Sequence, residues 1–141
     1  MNITLVPMTW DDAVLAGWLA LGGGGGAALR YVLDVAVSSR WRRTFPLATF
    51  LINVSGSLAL GLLVGWYYAG SAGPGWSLAV PVIGTGLLGG YTTFSTASYD
   101  TLRLGREGRV GMALAYAVGT MVVTIIAAAL GLWLGARWAT V

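Results

Sequence analysis

Residues 84–100 read GTGLLGGYTTFSTASYD, and within them a hydrophobic run gives way to hydroxyls: Tyr91, Thr92, Thr93, Ser95, Thr96 and Ser98, with Phe94 in their midst and Asp100 beyond. Two other apolar stretches carry spaced polar groups. TFLINVSGSLALGLLVG places Thr49, Asn53, Ser57, Gly61 and Gly65 at intervals of four, and Tyr116, Thr120 and Thr124 follow the same interval further on. Four-residue spacing puts each set on one helix face. These are neutral hydrogen-bonding groups. An amide with two donors, aligned hydroxyls and the positive edge of a phenylalanine ring can all face an anion without offering a full charge. A helix interrupted at Gly89–Gly90 and the Thr/Ser cluster would also free main-chain carbonyls, which are ready ligands for a hard cation. At membrane depth such a break survives only where it is buried in protein or lines a polar cavity.

Each feature has a plainer reading. Gly61 and Gly65 fit helix–helix contact, since small residues let backbones approach, and Asn53 could bond across such an interface. A lone threonine can bond back to its own helix; three in register say more. Arg30 and Asp34 lie four apart on one face, as an interfacial pair with a snorkelling arginine or as a positive mouth to an anion path. The run Gly22–Gly26 has no lysine after it, so it reads as a surface for close helix approach and not as a phosphate cradle.

The elements that must position these groups follow from composition. The chain has 141 residues, of which 57% are hydrophobic and 9% charged, against roughly 25% charged in ordinary soluble domains. Eight arginines and five acids cannot clothe a soluble surface, so the chain reads as one integral membrane domain. Cysteine and histidine are absent, which excludes disulfides, thiol catalysis and most transition-metal sites and removes the usual general base. No nucleophile–base pair or metal set points to an enzyme. The arginines are scattered between apolar segments, unlike a nucleic-acid-binding patch. MNITLVPMTWDD has no basic n-region, so no cleaved signal peptide is expected.

A spanning helix needs about 20 mostly apolar residues. Four stretches qualify: Ala13–Val35, Leu47–Tyr68, Leu78–Leu102 and Gly111–Trp133. The connections SSRWRRTFP, AGSAGPGWS and RLGREGR are short, so neighbouring helices run antiparallel. Loop 1 carries Arg40, Arg42 and Arg43 and loop 3 carries Arg103, Arg106 and Arg109, whereas the opposite side has only Arg137. The positive-inside rule then places both termini outside.

The motifs GTGLLGGYTTFSTAS, LATFLINVSGSLALG and LRYVLD closely resemble those of the Fluc/CrcB family of fluoride channels, and the likeness runs over residues 14 to 135. The resemblance implies an all-α protein of four transmembrane helices, the third broken, in the plasma (inner) membrane of a prokaryote. It further implies a passive fluoride exporter built as an antiparallel dimer, with two pores and a structural Na⁺ at its centre. By that resemblance the fluoride path comprises Asn53, Phe94, Ser95, Thr96, Tyr116, Thr120 and Thr124, with Thr49 one turn from Asn53 and Arg30 in the aqueous vestibule. Gly89 and Thr92 correspond to residues whose main-chain carbonyls hold Na⁺. The chemistry of the residues agrees: a small, strongly hydrated anion must exchange its water for donors that do not trap it, and the path residues, Arg30 apart, are neutral.

Two features depart from the family pattern. The second pore phenylalanine, three residues after Phe94, is here Ala97. The arginine asymmetry also argues for one fixed orientation, whereas an antiparallel homodimer needs insertion both ways. A heterodimer with an oppositely oriented homologue is therefore the alternative to a homodimer. Rival functions are a small multidrug-type proton-coupled exporter, which needs an embedded carboxylate that span 1 offers only as Asp34 near its end, and a non-conducting partner or scaffold subunit.

Overall fold

A computed structural model describes residues 10–41, 44–71 and 76–138. Among these the regular structure is entirely helical. Helix α1 runs from Trp10 to Arg40, with Asp11 and Asp12 in its first turn and Arg40 in its last, the polarity that the helix dipole favours. Arg40 also donates to the Ala36 carbonyl at 3.0 Å, in the last turn where a cation is favoured. At 31 residues α1 is about 46 Å long, well beyond the expected limit at Val35. Helix α2, Leu47–Trp66, begins directly after Pro46 and loosens into a π-helical turn over Tyr67–Ser71, where Gly70 adopts φ 85° and ends it.

The third crossing is assembled from pieces. Helix α3 (Trp76–Pro81) leads into a π-helical segment, Val82–Leu88, and then a single turn, α4 (Gly89–Tyr91). Thr92 (φ −76°, ψ 162°) and Thr93 (φ −151°, ψ 122°) are extended, and α5 (Phe94–Arg106) starts immediately afterwards. The interruption therefore falls just after the glycine pair: Gly89 and Gly90 stay helical, and the threonines break the chain. A tight turn with Gly108 at φ 75° leads into α6, Val110–Trp138. Three helical stretches are long and apolar enough to cross a membrane, Asp11–Arg40, Leu47–Gly70 and Val110–Trp138. The broken third crossing supplies the fourth expected span only as two halves.

Backbone-to-backbone contact holds the helices together. Helices α2 and α6 form the most extensive pair. Their glycines are reciprocal: a Cβ on Gly61 or Gly65 would strike the Ala128 or Leu132 carbonyl of α6, and one on Gly131 or Gly135 would strike the Leu58 or Leu62 carbonyl of α2. This bears out the contact role of Gly61 and Gly65 and adds a second glycine pair as its complement. Helix α1 rests on the π-helical segment and α4 in the same way, with Gly26 against the Leu87 carbonyl and Gly90 against that of Gly23. The glycine run of α1 is thus a contact surface. The buried apolar core is small: Leu104, Ala113 and Tyr116, flanked by Phe45, Phe50 and Ala97. Large apolar side chains such as Leu21, Val32, Ile125 and Ile126 point outward, as suits a helix surrounded by acyl chains.

Candidate functional site

Side chains that replace helical hydrogen bonds shape the break. In a continuous helix the Thr93 N–H would bond the Gly89 carbonyl four residues back. It donates instead to Asn53 Oδ1 at 2.8 Å, and Asn53 Nδ2 donates to the Thr93 carbonyl at 2.9 Å. Both residues are buried. The α2 amide therefore clamps the main chain of the third crossing through two reciprocal bonds. One residue on, Thr93 is the N-cap of α5: its Oγ1 accepts from the Thr96 N–H at 3.1 Å, the usual service of a capping threonine. That N–H would otherwise bond the Thr92 carbonyl. Thr93 Oγ1 also donates to Thr96 Oγ1 at 3.0 Å and lies 3.2 Å from Ser95 Oγ. Ser95 and Thr96 thus belong to the cap cluster, on exposed positions.

The clamp opens onto a cleft of about 760 Å³ between α2, the broken crossing and α6, lined by Asn53, Ser57, Thr92, Thr93, Phe94, Ala97, Tyr116, Thr120 and Thr124 among others. Phe94 is 87% exposed at its rim. Tyr116 and Thr120 are buried; the Thr120 hydroxyl has no partner within the chain, and that of Tyr116 has only the approach to Thr49. Buried polar groups left so are uncommon and call for a partner. Thr124 is different: its hydroxyl donates to the Met121 carbonyl on its own helix at 2.9 Å. Asn53 keeps one amide N–H beyond the clamp. No acidic or basic side chain lines this cleft.

A second cavity of about 300 Å³ lies towards loop 1, lined by Asp34, Ser38, Thr49, Thr96, Asp100 and Arg103 among others. Asp100 is buried; Thr49 Oγ1 donates to it at 3.0 Å, and Arg103 approaches it at 3.4 Å. The ion pairs continue outward from Arg103 to Glu107 and from Glu107 to Arg109, each at 3.9 Å, and Arg109 reaches Thr44. Thr49 thus meets a carboxylate and lines a different cavity from Asn53. The Tyr116 ring stands edge-on to Phe45, with centroids 5.5 Å apart, and packs with Phe50 and Ala97 around it.

The structure brings Asn53, Phe94, Tyr116, Thr120 and Thr124 to one cleft and leaves Thr49, Ser95, Thr96 and Arg30 outside its lining. Arg30 is half-buried on α1 and forms no ion pair with Asp34, which instead accepts from Ser38 at 3.3 Å. Gly89 and Thr92 line the cleft. Arg42 and Arg43 lie outside the described residues. Thr93 and Asp100 were missed as positioning groups. A threonine three residues ahead of another small hydroxyl in TTFST carries the capping signal, but nothing in the sequence pairs it with Asn53. Among the described residues no three acidic side chains gather as metal ligands, so a hard cation here would draw on main-chain oxygens.

Residues 17–132 match the profile of the family described as CrcB-like protein, Camphor Resistance (CrcB). The chain belongs to this family. CrcB-like relatives are similar over most of their length. A protein of Leifsonia xyli subsp. xyli named fluoride-specific ion channel FluC 1 is 46% identical over 117 residues, 83% of each chain. One of Streptomyces avermitilis with the same name is 46% identical over 125 residues, covering 86% of this chain and 98% of its own. A third, from Listeria monocytogenes serovar 1/2a, is 42% identical over 124 residues, covering 86% and 99%.

Proposed function

We propose that this CrcB-like protein is a fluoride-selective ion channel of the plasma membrane that lets fluoride leave the cytoplasm passively. The observation that carries the reading is the uncharged cleft in which the buried Thr120 hydroxyl has no internal partner and the buried Tyr116 hydroxyl has only the approach to Thr49. With the remaining N–H of Asn53 and the ring of Phe94 they form a set of weak donors suited to an anion that must bind and leave. The names of its relatives favour fluoride as that anion. The open cleft and exposed Phe94 suit completion by a second, antiparallel subunit, which gives two pores per dimer. The carbonyls of Gly89 and Thr92 fit a structural Na⁺ between the subunits, because both have lost their helical donors to side chains. The ion would hold the two breaks together as a fixed charge and would not be transported.

Fluoride efflux from liposomes containing the purified protein, read beside chloride-loaded controls, tests the proposal. Rapid fluoride-only release is expected. Absence of flux from folded protein, even with a co-expressed homologue, would overturn it and favour a scaffold. A heterodimer is the second reading, favoured by the arginines of loops 1 and 3 on one side. Proton-coupled export finds little support, since Asp34 sits near the end of α1 and bonds Ser38.

A further inference from the structure

The two carbonyls suited to a cation share a property that lies in their hydrogen-bond partners. Gly89 and Thr92 stand four residues before Thr93 and Thr96, so in an uninterrupted helix these carbonyls would accept the Thr93 and Thr96 N–H groups. Each N–H is diverted by a side chain, the first to Asn53 Oδ1 at 2.8 Å and the second to Thr93 Oγ1 at 3.1 Å. Thr93 is buried at the edge of the cleft, so its N–H has little access to water if Asn53 is removed. A buried donor without a partner is strongly disfavoured, and the nearest remedy is to re-form the helical bond to Gly89. A lone pair that accepts that N–H is weakened as a cation ligand.

We infer that Asn53 and Thr93 are positioning residues for the cation: by capturing two amide protons they hold the Gly89 and Thr92 carbonyls open, and so set Na⁺ affinity from outside the coordination shell. The inference rests on the proposed Na⁺ reading and adds to it a residue-level control. It also gives Asn53 a task separate from any contact with the permeant anion. Its amide couples the anion cleft to the cation site, because the same side chain serves both.

The test uses full-length protein in detergent and records its thermal unfolding temperature over a range of Na⁺ at constant ionic strength, balanced with N-methylglucamine. A ligand that binds only the folded state raises stability according to its concentration relative to Kd, so the Na⁺ concentration at which stabilisation sets in reports affinity. General destabilisation lowers the whole curve without moving that concentration. Asn53→Ala and Thr93→Val are expected to shift it upward about tenfold, the scale of one hydrogen bond lost, while Thr93→Ser stays at the wild-type value. If Asn53→Ala does not fold, the Thr93→Val and Thr93→Ser pair decides. An unchanged onset in folded variants, or equal shifts in the Ser and Val variants, overturns the inference. No Na⁺ response in the wild type would overturn the cation reading itself and this inference with it, while leaving the fluoride flux result untouched.

Discussion

At the scale of single residues, the polar groups divide by whether their hydrogen bonds are met inside the chain. Asn53 and Thr93 satisfy each other, Thr49 serves Asp100 and approaches Tyr116, and Thr124 bonds its own helix; Thr120 is left over. Substitutions at the two classes should therefore differ in kind. Thr49→Val removes a neutral donor from a buried carboxylate, so unfolding stability should fall by about 1–3 kcal/mol, while Thr49→Ser should hold it; thermal unfolding in detergent checks both. Thr120→Val replaces an unpartnered hydroxyl with an isostere. It should leave stability within about 0.5 kcal/mol and reduce fluoride flux in the liposome assay. Equal losses of stability in the two valine variants would contradict the division. The sequence makes the polar faces legible, because a four-residue interval needs no tertiary knowledge. It cannot assign partners: Thr49 and Thr120 look alike until Asp100 is seen beside one and nothing beside the other.

At the scale of elements, glycine sets the spacing. The hydrophobic runs reveal the helices, and the glycine run of α1 is readable as a contact surface. The partner of each glycine depends on helix rotation, which no pattern of types encodes. Gly17 and Gly26 make the point within one helix. A Cβ at Gly17 meets nothing within 4 Å, whereas one at Gly26 would strike the Leu87 carbonyl and the Tyr91 amide. Gly17→Ala should be neutral or stabilising by up to about 1 kcal/mol, from helix propensity. Gly26→Ala should destabilise by about 1–3 kcal/mol through overpacking and shift α4 away from α1, read as a lower unfolding temperature and a broadened elution profile. The broken crossing was legible as a break within the Gly-Gly and Thr/Ser stretch, and the structure puts it at the threonines. Glycines draw attention as breakers, yet Gly89 and Gly90 remain helical because α1 packs against them, and the side-chain capture of two amide protons ends the helix at Thr92.

At the scale of the whole molecule, the arginines bear on orientation and the open cleft bears on the proposed assembly. The chain has no cysteine, so Gly105→Cys, at a position with free space around it, gives a single label site that leaves the charge balance unchanged. Impermeant thiol reagents should leave it unlabelled in intact cells and label it once the cytoplasmic face is exposed in opened cells, as the positive-inside rule requires. Fixed insertion would then call for an oppositely inserted partner, and an even split would establish that one chain serves as both subunits. Either way the unpaired chain is poorly suited to remain alone in a bilayer. Non-helical backbone at membrane depth persists only under protein or beside water, and here it opens towards an exposed Phe94. On the proposed function, the same cleft that would serve conduction would leave a lone copy unfinished. If the proposed pairing holds, its lifetime in the cell should be governed by how soon it meets a second subunit, since non-helical backbone left open in a bilayer is disfavoured, and the amount that accumulates should follow the rate of pairing.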